Sequence, residues 1–156
     1  MLPLSLVRLK TILRREKARG QIVVFANGCF DLLHVGHVRY LAAAKALGDI
    51  LVVGINSDRS VRRLKGPGRP VTPERERAEL LLALRFVDQV VIFGEPTADR
   101  VLRTLKPDIH AKGTDYSAAA VPERKTVLAY GGKIAIVGDP KRHATKDILK
   151  RVKRRS

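Results

Sequence analysis

Residues 27–37 read Asn-Gly-Cys-Phe-Asp-Leu-Leu-His-Val-Gly-His and hold two of the chain's four histidines, three residues apart around Gly36. Imidazole nitrogens can donate to phosphate oxygens, ligate a metal or pack in a core. The stretch follows the apolar run Ile22–Ala26 and enters a helical pattern. The histidines therefore fall at a helix N-terminus, where unpaired N–H groups and the helix dipole favour an anion. Gly36 removes a side chain where phosphate oxygens would need close approach. The set suits phosphoryl or nucleotidyl transfer, which depends on positioning and on neutralising charge as it moves to the leaving group. Two other readings stay open on these residues alone. One is a capping histidine beside a core histidine. The other is a metal site, although no Cys pair or third ligand follows at zinc-like spacing. Neither a Gly-x-Gly-x-x-Gly fingerprint nor a P-loop follows the first strand.

The elements that must carry this stretch alternate in type. Leu2, Leu6, Leu9 and Leu13 mark one stripe of an amphipathic helix ending near Gly20. Short β-branched runs at Ile22–Ala26, Ile50–Ile55, Val87–Phe93, Asp108–Lys112 and Lys133–Val137 read as buried strands. Helical patterns separate them: Val35–Leu47, Asp58 to about Leu64, Thr72 to about Phe86, Thr97–Leu105 and Pro122–Tyr130. Thr72 is expected to cap its helix, with Pro73 in the first helical position. A last helix runs from Ala144 to about Arg154. Strand–helix alternation predicts an α/β fold, a Rossmann-like three-layer domain around a five-stranded parallel sheet. We expect a single domain over residues 1–156, with an N-terminal helix over 1–20 and a catalytic core over 21–156 closed by a basic helix. Ligands of such sheets bind beyond the carboxyl ends of the strands. The turns at 27–37, 56–58, 112–116 and 138–145 are thus the informative ones.

Bulk properties bound the function. Hydrophobic content of 45% and charged content of 29% are those of a globular protein, and no apolar run approaches membrane-spanning length. Arg8 interrupts the apolar start, so no signal peptide is expected. One cysteine cannot form an internal disulfide, and cytoplasmic placement is the expectation. The net charge of +16 is concentrated at the ends, with six basic residues against one acid in residues 1–20 and eight against one in 141–156. Solvated helix faces explain these ends, and contact with nucleic acid stays open as a less favoured partner. Only 4% of residues are aromatic, which weakens a base-stacking platform.

The run Gly28-Cys29-Phe30-Asp31-Leu32-Leu33-His34-Val35-Gly36-His37 resembles the Gly-x-Phe-Asp-x-x-His-x-Gly-His signature of the cytidylyltransferase-like nucleotidylyltransferases. Further blocks match in order: Asn56-Ser57-Asp58-Arg59-Ser60-Val61, Leu64-Lys65-Gly66 with Arg69-Pro70, Arg77, Val87-Asp88, Lys106-Pro107-Asp108 and Lys112-Gly113-Thr114-Asp115-Tyr116. Together they resemble the adenylyltransferase half of the bifunctional ADP-heptose synthases, from about Ile22 to the C-terminus.

That resemblance implies transfer of AMP from ATP to D-glycero-β-D-manno-heptose 1-phosphate, with Mg²⁺ carried on the phosphates and no metal site made by the protein. A CTP-dependent enzyme acting on an alcohol phosphate such as glycerol 3-phosphate is the alternative within the class. His34, His37, Lys65 and Arg77 are implied as the catalytic and phosphate-holding set. Asn27, Gly28, Cys29, Phe30, Asp31 and Gly36 would contact nucleotide from the first turn, with Lys112, Gly113 and Asp115 from a later one. Asp31 organises its turn in this reading and is no base, since the attacking phosphate is already anionic. Asn56, Asp58 and Arg69 are assigned to the acceptor. The family's final helix opens on a Ser-Thr-Thr-like run, and here the stretch is His143-Ala144-Thr145-Lys146, with His143 or Lys146 expected to compensate. The bound triphosphate is expected to hold the histidines as imidazolium, so that rate falls at alkaline pH. A homodimer is also implied.

Overall fold

The computed structural model describes residues 2–140 and 144–154. Five strands form one parallel sheet: β1 (Val23–Gly28), β2 (Ile50–Asn56), β3 (Gln89–Phe93), β4 (Ile109–Lys112) and β5 (Lys133–Ile136). Their order across the sheet is β3-β2-β1-β4-β5. The chain winds outward from β1 to β3, then returns to β1's other side, so the order switches beside β1 and leaves a crevice at its carboxyl end.

Strand side chains alternate between faces, and the continuous apolar runs fill both. Val24, Ala26, Leu51, Val53 and Ala111 pack with Leu41 of α2 (Val35–Lys45) and with Ala78 and Leu81 of α4 (Glu74–Leu82). On the opposite face, Phe25 and Val52 pack with Leu9 and Leu13 of α1 (Leu6–Ala18), with Leu102 of α5 (Asp99–Leu105) and with Val127 of α6 (Arg124–Ala129). The fold is the expected three-layer α/β arrangement. Between these helices lie α3 (Asp58–Lys65) and a 3₁₀ turn at Ala118–Ala120, which the sequence did not suggest, and α7 (Thr145–Lys153) closes the described chain. Among the described residues no helix is long and apolar enough to cross a membrane.

Several helices start one to four residues later than expected, and two of them show the physical reason. The first helix begins at Leu6, capped by the Ser5 hydroxyl accepting from the Arg8 amide, so Leu2 precedes it and lies exposed. Pro3 and Ser5 favour extended and capping geometry over a helix interior, which outweighs the leucine spacing. The fourth begins at Glu74 with Pro73 in the capping position and no side-chain cap. The Thr72 amide instead donates to Asp31 at 3.1 Å, and its carbonyl accepts from Arg77 at 2.9 Å. Thr72 is thus held by partners distant in sequence, and its own hydroxyl does not start the helix.

Candidate active site

A cleft of about 1420 Å³ opens at the carboxyl end of the sheet. The first turn supplies one wall. At Gly28 a Cβ would lie 3.1 Å from the Phe30 ring, a tight contact that glycine avoids as the ring folds back. Phe30 itself takes a left-handed conformation, φ 47°, rare for an aromatic residue and a place of local strain. The turn sets the Phe30 ring edge-on beneath His37, centroids 5.0 Å apart, and alongside Tyr40 at 6.5 Å. Tyr40 in turn donates to the Ala111 carbonyl at 2.7 Å, tying α2 to β4.

The two histidines cap α2 with their own rings. His34 Nδ1 accepts from the Gly36 amide at 3.2 Å, and His37 Nδ1 accepts from the His34 amide at 3.4 Å, a reciprocal capping box. The rings stack at 3.8 Å between centroids. An imidazole that accepts at Nδ1 carries its proton on Nε2 and can donate from there while neutral. The Gly36 amide is engaged by His34, and the Nε2 edges of the two rings add side-chain donors to this helix end.

Asp31 is buried and receives the amides of Val71 and Thr72 at 2.7 and 3.1 Å and the Arg69 guanidinium at 2.5 Å. Burial alone would raise its carboxyl, but those two amides and Arg69 outweigh it and hold it below the usual carboxylate range. With its oxygens engaged, Asp31 fixes the 69–72 loop at the wall of the cleft. Burial pushes the Cys29 thiol up, against the pull of Lys65 and Arg77, so Cys29 is no thiolate nucleophile. Lys65, the last residue of α3, is exposed on the cleft rim, where Gly66 with φ 89° turns the chain away.

Arg77 does not reach the cleft. Its side chain is fully buried, and its donors go to the carbonyls of Cys29 at 2.6 Å, Asn56 at 2.9 Å and Thr72 at 2.9 Å and to the Asp58 carboxylate at 2.8 Å. This corrects the expected phosphate role: all three guanidinium nitrogens are spent joining three loops. Asp58 is likewise turned toward Arg77, away from the cleft, while its amide is capped by the Glu74 carboxylate at 2.7 Å. Asn56 lines the cleft but is buried, donating to the Ser60 hydroxyl and the Glu95 carbonyl. Arg69 lines it while paired to Asp31.

The other walls come from later turns. Lys112, Gly113 and Asp115 line the cleft after β4, as do Ala144, Thr145 and Lys146 at the start of α7. Among the described residues Ala144 occupies the capping position of α7 without a side-chain cap, and the Asp147 amide donates to the Ala144 carbonyl at 2.9 Å. An Arg39–Asp139 ion pair at 2.9 Å and the Thr114 hydroxyl donating to the Asp139 carbonyl at 2.8 Å hold the segment before α7 near α2 and β4. His143 lies outside the described residues. Sequence reasoning missed His110 and Glu123. His110 could have been found, since two residues before Lys112 on a strand it must share that residue's face.

Residues 25–152 match the cytidylyltransferase-like family model. The chain belongs to the cytidylyltransferase-like family. It is 49% identical over 144 residues to the bifunctional protein HldE of Syntrophotalea carbinolica, covering 92% of this chain and 29% of that protein. With HldE of Citrifermentans bemidjiense it shares 53% identity over 138 residues, 88% of this chain and 28% of the relative. The chain thus spans less than a third of these bifunctional relatives. Among solved structures, the lipopolysaccharide core biosynthesis protein of Thermoplasma volcanium superposes with a TM-score of 0.68 at 32% identity, covering 78% of this chain and all of that one.

As to a metal, the described residues contain no group of three or more His, Cys, Asp or Glu placed to hold one. Asp31, the acid of the family signature, is already saturated.

Proposed function

We propose that this cytidylyltransferase-like chain transfers AMP from ATP to D-glycero-β-D-manno-heptose 1-phosphate, giving ADP-heptose and pyrophosphate. The observation that carries the reading is the pair of helix N-termini, of α2 and α7, that meet at one cleft with two capped histidines, joined to the likeness to HldE over 92% of the chain. A triphosphate is the ligand such an arrangement fits.

The step is a direct displacement. A phosphate oxygen of the acceptor bonds to the α-phosphorus, and the bond from that phosphorus to the bridging β-phosphate oxygen breaks, releasing pyrophosphate. No covalent intermediate is needed, and Cys29 and Asp31 are respectively a thiol and a saturated carboxylate. The Nε2–H groups of His34 and His37 donate to phosphate oxygens as charge shifts to the leaving group. Lys65 and Lys146, both on the cleft, supply positive charge, and the N-terminus of α7 receives phosphate oxygens. Magnesium on the triphosphate supplies charge neutralisation. The same reading makes the protein a cytoplasmic homodimer, which light scattering of the purified chain tests.

The deciding experiment is pyrophosphate release with Mg²⁺, pairing ATP or CTP with the heptose phosphate or glycerol 3-phosphate. Turnover with ATP and the heptose phosphate alone is expected. Turnover with CTP and glycerol 3-phosphate alone would keep the displacement chemistry and overturn the substrates.

A further inference from the structure

Three side chains on the cleft, Asn27, Lys112 and Glu123, are not used by the chemistry above. All three lie on the side of the sheet away from His34 and His37. Asn27 follows Phe25 by two residues on β1, and Lys112 follows His110 by two on β4, so all four side chains share one face. Phe25 and His110 confirm it by contact, with centroids 5.7 Å apart. That face is covered by α1, α5 and α6, whereas α2 covers the other. The sheet edge therefore divides the cleft in two.

On the α6 side, Glu123 immediately precedes the helix and is almost fully buried, yet it lines the cleft. Its Oε1 accepts from the Ala98 amide at 3.2 Å, and its Oε2 has no hydrogen-bond partner. Lys112 Nζ stands 3.8 Å from that oxygen, wider than a charge-assisted hydrogen bond. The ammonium is held otherwise by a long 3.4 Å contact to Asn27 Oδ1 and by the Tyr116 ring at 4.7 Å. Behind them, His110 Nε2 lies 2.9 Å from the same Asn27 oxygen. An ammonium can only donate, so the Asn27 atom facing it is the oxygen. His110 then donates from Nε2, and the amide of Asn27 is locked with its Nδ2 donors turned from His110.

We propose that Glu123, Lys112 and Asn27 form the subsite for the acceptor's sugar hydroxyls, with His110 a positioning residue that fixes Asn27. A hydroxyl can accept from Nζ and donate to Oε2 at once, satisfying both groups. A phosphate can only accept, and the carboxylate repels it. This pair is neutral overall, whereas the α2 and α7 side offers amides, N–H donors and lysines. The acceptor is thereby oriented with its polyol end toward α6 and its phosphate toward the histidines. The inference rests on the reading of the acceptor as a sugar phosphate.

Glu123→Gln tests it, since the amide keeps the shape and the Ala98 contact while replacing an acceptor oxygen by a donor. Steady-state kinetics are run with the heptose phosphate and with deoxy analogues each lacking one hydroxyl. For the intact sugar we expect kcat/KM to fall roughly 10–100-fold, as for a lost buried hydrogen bond, through KM for the acceptor. KM for ATP should stay within about twofold, because this reading seats the triphosphate at α2 and α7 and moves Asn27 and Lys112 from nucleotide to acceptor contact. With one deoxy analogue the penalty should shrink to within about threefold, because the group that Glu123 holds is already gone. A penalty equal across all analogues, or a parallel rise in KM for ATP, overturns the subsite. Glu123→Asp carries the same comparison if the glutamine variant does not fold. His110→Gln, which retains a donor, should rescue the acceptor KM that His110→Ala loses. If the unaltered enzyme turns over no sugar phosphate, the functional reading fails and this inference fails with it. Normal turnover with a uniform penalty sinks only the subsite.

Discussion

Replacing Arg77 by methionine removes the guanidinium that joins the turn after β1, the end of β2 and the loop before α4, while filling much of the same volume. The Asn56 carbonyl lies in a buried contact and would lose its arginine partner. Leaving such a group unsatisfied costs about 1–3 kcal/mol. The bonds to the Cys29 and Thr72 carbonyls and to Asp58 are only part-buried, so water can replace the arginine, and each loses a net ~1 kcal/mol. The total is about 4–6 kcal/mol, a large part of a domain's stability. For a chain of this size that lowers Tm by roughly 10–15 °C. The assay is thermal unfolding beside KM for ATP, measured well below the lowered transition. Arg77→Lys separates the explanations further. A lysine would preserve most of a phosphate contact but cannot reproduce a planar fork spread over four acceptors, so it too should be several degrees less stable. A methionine variant within about 3 °C of the parent but with a greatly raised KM for ATP would refute the buried-keystone account, because the structural term in Tm would then be missing.

Other outcomes follow from the same geometry. His34→Asn keeps a good N-cap while deleting the Nε2 donor, so stability should change by less than about 1 kcal/mol while kcat falls by about 100-fold or more; kcat near that of the parent would remove His34 from the chemistry. The imidazolium pair expected in the triphosphate complex predicts that kcat under saturating Mg·ATP falls at alkaline pH, and a profile flat to about pH 9 would refute it. His110 is held down to about 3 from an ordinary 6.5 by burial and then by Lys112, so between those values the unfolded chain binds one more proton than the folded one. Stability should therefore decline as pH drops below 6.5, by about 2 kcal/mol at pH 5, and urea unfolding of His110→Gln should lack that slope. Gly54→Val would place a Cβ 2.5 Å from the Phe25 ring and should cost about 1–3 kcal/mol by overpacking, read by the same denaturation.

The strands were legible because burial on both faces writes continuous apolar runs, and β1 and β2 lie within two residues of where those runs fall. The histidine pair was legible because it sits at a helix start after such a strand. What the chain did not disclose was partnership at a distance. Arg77 looks like a solvent-facing helix residue beside Glu74 and Glu76, and nothing local reveals that carbonyls 48, 21 and 5 residues before it will converge on its guanidinium. Thr72 failed as a cap for the same reason, since Asp31 claims its amide from 41 residues away. Glu123 carries no local motif at all, and only the approach of β4 to the start of α6 gives it meaning.

The division of the cleft has a chemical logic that the motif alone does not convey. A parallel sheet presents alternate side chains to opposite layers, so two residues in succession on one strand serve different halves of a site. On β4, Ala111 packs with the α2 layer and Lys112 with the α6 layer. The α2 and α7 half gathers donors and positive charge, which suits any nucleoside triphosphate and pyrophosphate leaving group. The α6 half pairs its lysine with a carboxylate and so is neutral, selecting for hydroxyls over phosphates. Acceptor preference can then change through residues at the ends of β1 and β4 and before α6, while the helix-terminal phosphate machinery stays as it is. The histidine pair is built within one helix turn, the two rings stacked on each other and the His37 ring set against Phe30.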